Sequence, residues 1–256
     1  MKNFLINIDR VLFNNTCSKY YESTYKARKI LTKLSSELDY SYTVSYEKSK
    51  DNVLSILCDK YGSDKGSIKL TSDFYSWTAH TYADYYHDIF SHCRKNITKV
   101  FECGIGTNNP SLSSSMGICG QPGASLRAWR DYFPNAEVIG VDIDKHIVFS
   151  EERINTFYVD QTSKESIEKM WDIVKTNDFD LMIDDGLHTF EAGVCLFESS
   201  IDKLSSTGIY VIEDVSPSDL MRYKGYFSKL KYKAEFISLY RPNTSLSDNS
   251  LVNIRI

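Results

Sequence analysis

The stretch LMIDDGLHTF, residues 181 to 190, ends an apolar run in two carboxylates, a glycine and a histidine. A second acid pair, Glu213-Asp214, closes another apolar run, GIYVIED. If these runs are neighbouring parallel strands, their tips lie about 4.8 Å apart, and up to four carboxylates (Asp184, Asp185, Glu213, Asp214) meet at one sheet edge. Such crowding calls for a counter-ion. A hard divalent cation with oxygen ligands suits it, magnesium first and manganese next, whereas the lack of cysteine or clustered histidine in the group argues against zinc. His188 follows Asp185 closely enough to reach a hydroxyl held on that cation, and imidazole is the side chain best suited to take a proton near neutral pH. Blander readings stand beside these: Asp-Gly is a common turn, Asp214 can cap a following helix, and a histidine at a helix start is often only a capping residue.

A second constellation begins at FECGIGTNNP, which places Glu102, Gly104 and Gly106 at the end of another strand, where open α/β sheets bind ligands. Asn109 stands where a dinucleotide fingerprint needs its third glycine, which disfavours NAD and an NAD-dependent sugar oxidoreductase. Asp142, in EVIGVDI, falls at the next strand tip, where an acid receives ribose hydroxyls. Asp160, in VDQTS, offers an acceptor for an exocyclic amine. Together these tips outline a pocket for an adenosine with a polar tail. The uncharged connection 107–123 is long for a compact domain, and reads either as a loop that covers the ligand or as passive disorder.

The elements that must position these residues alternate regularly from about Asn96. Strand candidates at 99–104, 137–143, 155–160, 179–184 and 208–214 are separated by helical patterns at 124–133, 163–175 and 190–204, with another near 218–230. That order implies right-handed βαβ units and a parallel sheet. KAEFISLYR and SLVNIRI then follow with only a loop between them and suggest a terminal antiparallel hairpin. The division expected is 1–95 as a helical N-terminal extension with the entrance or lid, and 96–256 as the ligand-binding catalytic domain. The first fifty residues show one plausible helix, about 19–38, which is an oligomerisation arm, a partial lid or a packing helix. The stretch 62–90 brings Asp64, Lys65, His80, Tyr82, Tyr85 and Tyr86 ahead of the first strand, side chains suited to carbohydrate faces and hydroxyls. Lys65, Lys69, Arg222 and Lys224 are candidates for contacting a diphosphate at that entrance.

Bulk properties narrow the partners. A net charge of −4 does not suit a general phosphate-backbone binder, so no nucleic acid is expected. The six cysteines form no C-x-x-C pair and read as reduced thiols of a cytoplasmic protein. No apolar run approaches 18 residues, so no membrane span is expected.

Taken together, ECGIG, GASLRAWRDYFPNAEVIGVDI, DQTS, IDDGLH and YVIED resemble the class I S-adenosylmethionine-dependent, metal-dependent sugar O-methyltransferases typified by the macrolide deoxysugar enzymes. The resemblance runs from about Tyr61 to Asp214. It implies a Rossmann-like, mostly parallel α/β sheet with a C-terminal antiparallel hairpin. It implies S-adenosylmethionine bound by Glu102, Gly104 and Gly106 at the methionine end, Asp142 at the ribose, and Asp160 and Gln161 at the adenine. Ser125, Asp184 and Tyr82 are further cofactor candidates, Ser125 from a segment where Ala124 replaces a family glycine. The implied magnesium ligands are Asp185, Glu213 and Asp214, with His188 as general base. The acceptor would be a sugar, nucleotide-activated or part of a glycan or natural product. A non-catalytic S-adenosylmethionine- or metal-binding relative is the competing class, and the intact acids and histidine argue against it.

Overall fold

In the computed structural model, the residues described are 41–45, 51–67, 79–240 and 248–256, with 25, 26 and 29. Most of the helix expected at 19–38, together with Lys69, lies outside them. Five strands run parallel: β2 (Lys99–Cys103), β3 (Glu137–Asp142), β5 (Ile154–Tyr158), β6 (Phe179–Asp184) and β7 (Leu204–Ile212). β8 (Lys233–Tyr240) and β9 (Ser250–Arg255) form the expected antiparallel hairpin, and β9 slots between β7 and β8. The sheet closes at one edge with the short β4 (Ser150–Glu151), antiparallel to β5. At the other edge β1 (Ser41–Ser45) pairs parallel with β8. The sequence reading anticipated only helix ahead of residue 95; the alternating, β-branched SYTVS instead extends the sheet.

The helices are α1 (Val53–Tyr61), α2 (Tyr82–Phe90), α3 (Ala124–Tyr132), α4 (Lys164–Val174), α5 (Phe190–Ser200) and α6 (Pro217–Phe227). Ser163, Thr189 and Ser216 cap α4, α5 and α6 by accepting backbone N–H bonds, so the capping of α6 falls to Ser216 and leaves Asp214 to other work. Among the described residues no helix is long and apolar enough to cross a membrane.

Side chains of a strand alternate between faces, and here that parity sorts the core. Val100, Leu181, Ile183 and Val211 pack with Trp129 and Tyr86 on the α2 and α3 side. Phe101, Met182, Tyr210 and Ile212 pack with Trp171 and Phe197 on the other. Both faces of the parallel strands are therefore covered, as such sheets require. Strand order departs in opposite directions from β2, to β3 on one side and β6 on the other. This is the switch point at which open α/β sheets form their ligand crevice.

Candidate functional site

At that switch point Gly104 leaves β2 with φ +87°, a left-handed conformation. A Cβ there would stand 1.9 Å from the Asp185 carbonyl oxygen. Glycine is thus what lets the β2 and β6 tips touch. Beyond the turn opens a cleft of about 170 Å³ bordered by Gly104, Asp142, Ile143, Asp160, Gln161 and Asp185. Asp142 accepts the Ile105 N–H at 2.9 Å through one oxygen and the Asp144 N–H at 2.9 Å through the other, and burial raises its pKa. Asp160 accepts from the backbone and hydroxyl of Thr162. Gln161 donates to Asp184 at 2.6 Å and accepts the Leu187 N–H at 2.9 Å, which fastens the β5 tip to the DDGLH turn.

A second cleft, about 250 Å³, opens beside it and holds Asp64, His80, Asp185, His188, Asp214 and Asp248. Asp185 and Ser114 line both clefts, so the two share a wall and a roof, the roof being the 107–123 loop. Ligand atoms of Asp185, His188 and Asp214 lie within 4.8 Å of one another and could hold a divalent cation. His188 Nδ1 is 3.7 Å from Asp214, and His80 Nε2, buried and without a hydrogen-bond partner, is 3.3 Å from it. Tyr82 donates to Asp214 Oδ1 at 2.7 Å. Thr81, His188 and Asp214 all carry positive φ, at 63°, 56° and 53°. For non-glycine residues that costs about 1–3 kcal/mol each and clusters where a site over-determines the backbone.

Beneath this cleft Lys65 is buried, 2% exposed, with its ammonium 2.5 Å from Asp185, 2.5 Å from Glu213 and 3.3 Å from Glu102. Burial works against its charge, but the three carboxylates outweigh it and hold its pKa well above the ordinary value. Glu213 accepts from Tyr86 at 2.6 Å with its other oxygen. Glu102 accepts from the Trp129 indole at 2.9 Å, and burial pushes its pKa up to about 7. Burial likewise pushes Asp184 to about 6.

Comparison with known proteins returns no family-model match. It returns a tetracenomycin-C rhamnosyl 2'-O-methyltransferase from Streptomyces olivaceus, 30% identical over 168 residues, covering 66% of this chain and 39% of that protein. It also returns mycinamicin VI 2''-O-methyltransferase from Micromonospora griseorubida, 29% identical over 137 residues, 53% of this chain and 32% of that one. By sequence, the chain is similar to natural-product sugar O-methyltransferases. It spans well under half the length of these relatives. A solved MycE methyltransferase of the mycinamycin pathway, in complex with Mg and SAH, superposes with a TM-score of 0.55 at 22% identity, over 81% of this chain and 55% of that one, which shows the Rossmann-like methyltransferase fold.

Set against the sequence reading, the structure brings Gly104, Asp142, Asp160 and Gln161 to one cleft and Asp185, His188 and Asp214 to its neighbour, with Gly106 on the second. It places several others elsewhere than expected. Glu102 shares the strand parity of Val100 and points under α3, where Ser125 bonds it, so neither borders the first cleft. Asp184 shares the parity of Met182 and braces Gln161 from below. Tyr82 serves Asp214 instead of the glycine-turn cleft. Glu213, the expected third cation ligand, has one oxygen on Lys65 and the other on Tyr86. Lys65 itself is buried rather than poised at the entrance for a diphosphate, and Arg222 pairs with Glu191 and Asp219. Asp144, which accepts from Thr107 at 2.6 Å and ties the covering loop to the β3 tip, was passed over in the sequence. The second acid of VDID was its only signal.

Proposed function

We propose that this chain is an S-adenosylmethionine-dependent, divalent-cation-dependent O-methyltransferase that acts on a sugar hydroxyl. The observation that carries this reading is the shared wall: Asp185 borders both a cleft at the switch point and an acid- and histidine-lined cleft next to it. A methyl donor in the first and an acceptor in the second would meet over that residue. Such pre-alignment is worth effective molarities of about 10⁵ M or more in well-oriented systems.

The donor set fits a hard cation, since Asp185 and Asp214 present carboxylate oxygens with His188 adjacent. When bound there, the cation supplies a lowered pKa for a chelated sugar hydroxyl. Asp142 and Asp160 hold the nucleoside of the methyl donor, and the turn at Gly104 lets its sulfonium end approach the β2 tip. His188 takes the hydroxyl proton as the sugar oxygen bonds to the methyl carbon and the carbon–sulfur bond breaks. The strained backbone at His188 and Asp214 fixes both side chains in place before substrate arrives. The relatives named above act on sugars of small natural products, which supports a small-molecule glycoside acceptor over a nucleotide-activated sugar, as does the burial of Lys65.

The test offers labelled S-adenosylmethionine with magnesium to a panel of glycosides and nucleotide sugars and reads a gain of one methyl group by mass spectrometry. Calorimetry accompanies it, with S-adenosylmethionine expected to bind and NAD not. Binding of neither, or methylation of no glycoside with cofactor bound, would leave the competing reading of a non-catalytic relative.

A further inference from the structure

We propose that Asp184 is a positioning residue for His188: through one water in a small cavity behind the DDGLH turn it takes up the His188 Nε2–H and leaves Nδ1 as the atom that receives the hydroxyl proton. This rests on the methyl-transfer reading above and deepens it.

The cavity, about 10 Å³, lies between the start of α5, α6 and the tip of β7, and Asp184, His188 and Tyr223 all border it. That volume is about what one water needs, and a buried water requires two to four polar partners. Asp184 supplies the first. It is 3% exposed, and its Oδ1 accepts from Gln161 at 2.6 Å and from the Gly186 N–H at 3.3 Å, whereas Oδ2 has no hydrogen-bond partner among the described residues. A buried carboxylate oxygen left bare is costly. Tyr223 supplies the second partner. A Cβ on Gly193 of α5 would stand 2.1 Å from the Tyr223 hydroxyl and 3.4 Å from Asp184 Oδ2, so both oxygens reach the same bare point of the helix. Phe190, its ring centroid 4.8 Å from that of Tyr223, joins Ile212 and Val215 in walling the space with apolar surface.

The imidazole of His188 is the third partner. Its Nδ1 lies 3.7 Å from Asp214 Oδ2, beyond hydrogen-bond reach, so Asp214 does not hold an N–H there. His188 borders the acceptor cleft as well as the cavity. The two ring nitrogens diverge, and with Nδ1 toward Asp214 the Nε2 side is left for the cavity. The other acids that border it are engaged elsewhere: Asp219 with Ser216 and Arg222, Glu213 with Lys65 and Tyr86, and Asp214 with Tyr82. Asp184 therefore offers the open acceptor. Burial raises its pKa, and His188 is among the groups that pull against that rise, as a neighbour would. A water that donates to Asp184 Oδ2 and accepts from Nε2–H fixes the tautomer, because the hydrogen bond made by one imidazole nitrogen decides which nitrogen stays free to take a proton.

Histidine isotope-labelled at its ring nitrogens reports the tautomer by magnetic resonance, read on the whole chain with magnesium at about pH 8.5, where an ordinary imidazole is neutral. Comparison with His188→Ala identifies the signal. Wild-type His188 should show the Nε2–H form. Asp184→Asn keeps the shape and an oxygen for Gln161 but turns an N–H toward the water, so the His188 proton should move mainly to Nδ1. Turnover of the glycoside that the panel above identifies should then fall about 10- to 100-fold, with KM and S-adenosylmethionine affinity within about twofold of wild type. An acid that only packs would change stability without moving the tautomer. The proposal falls if wild-type His188 carries its proton on Nδ1, or if folded Asp184→Asn leaves the tautomer unchanged. If Asp184→Asn fails to fold by circular dichroism, Tyr223→Phe, which removes another partner of the water, takes its place; part of the His188 signal should shift toward Nδ1, and no shift overturns the inference. Failure of the methyl-transfer reading shows separately, as a wild type that methylates no glycoside while its tautomer is still read, and it would overturn the catalytic use of that tautomer.

Discussion

The tips of β2, β3 and β5 shape their cleft largely with backbone: a glycine turn that touches the next strand, amide groups gathered by Asp142, and a loop pinned through Thr107 to Asp144. The tips of β6 and β7, one strand away, shape theirs with charge: aspartates, two histidines and a lysine beneath them. The first cleft is assembled from strand tips that all lie between Cys103 and Leu187. The second depends on Lys65, which lies 120 residues from Asp185 and 148 from Glu213. A site made by backbone tolerates exchange of its side chains except those that gather its amides, as Asp142 does here. A site made by charge responds to every member, including those that touch no substrate.

Removing the divalent ion separates the two regions most sharply. Exhaustive chelation should abolish methyl transfer while S-adenosylmethionine still binds, because the proposed cation acids sit on different strand tips from the nucleoside contacts. Magnesium should restore the rate. Activity that survives chelation would mean that the acids are packing and capping groups and that the contrast drawn above is empty.

His188 offers the next largest effect. His188→Ala should leave cofactor affinity unchanged yet lower turnover by about 10² to 10⁴, the usual contribution of a positioned proton acceptor. A loss under tenfold would assign activation of the hydroxyl to the cation alone and leave His188 as the residue that precedes the Thr189 cap of α5.

The unequal legibility of the two regions in the sequence follows from their construction. The parallel strands and the terminal hairpin could be read because each is a local pattern, and so could Gly104, Asp142, Asp160 and Gln161, which follow strand ends directly. Asp185, His188 and Asp214 were legible for the same reason. The parity of Glu102 and Asp184 was not: one position along a strand decides whether an acid faces ligand or core, and both proved to face core. The partners of Glu213 were further out of reach, since no periodicity links SDKG to a strand tip so distant in the chain. β1 escaped because five residues of modest polarity form a strand only once β8 exposes an edge to pair with.

On the backbone-built side, Asp142→Ala should weaken S-adenosylmethionine binding by about 1.5 to 3 kcal/mol, the worth of hydrogen bonds to a charged group. Asp142 also gathers the Ile105 and Asp144 amides, so part of that loss would come from a loosened turn. Asp142→Asn separates the two contributions, since an amide oxygen can still accept one N–H while the charge is gone. Unchanged affinity in a folded Asp142→Ala protein, measured by calorimetry, would remove the residue from the site.

Glu102 tests where the boundary between the regions runs, because it lies under the glycine turn but reaches toward Lys65. Burial raises its pKa from 4.5 to about 7, against the pull of Lys65. A carboxyl whose folded pKa is raised keeps its proton in the native state while the unfolded chain has already released it. Its stabilising contribution is therefore full below about pH 4.5 and is lost as the pH rises through about 7. Relative to Glu102→Gln, which can still accept from Trp129, the wild type should lose about 1 to 2 kcal/mol of stability between pH 4.5 and 7.5. That is less than the full shift implies, because Lys65 adjusts with it. Urea unfolding of both proteins at the two pH values measures this difference. A flat difference would mean that Lys65 keeps Glu102 ionised throughout, which would place this acid with the charged tip and extend the charge-built region beneath the first cleft.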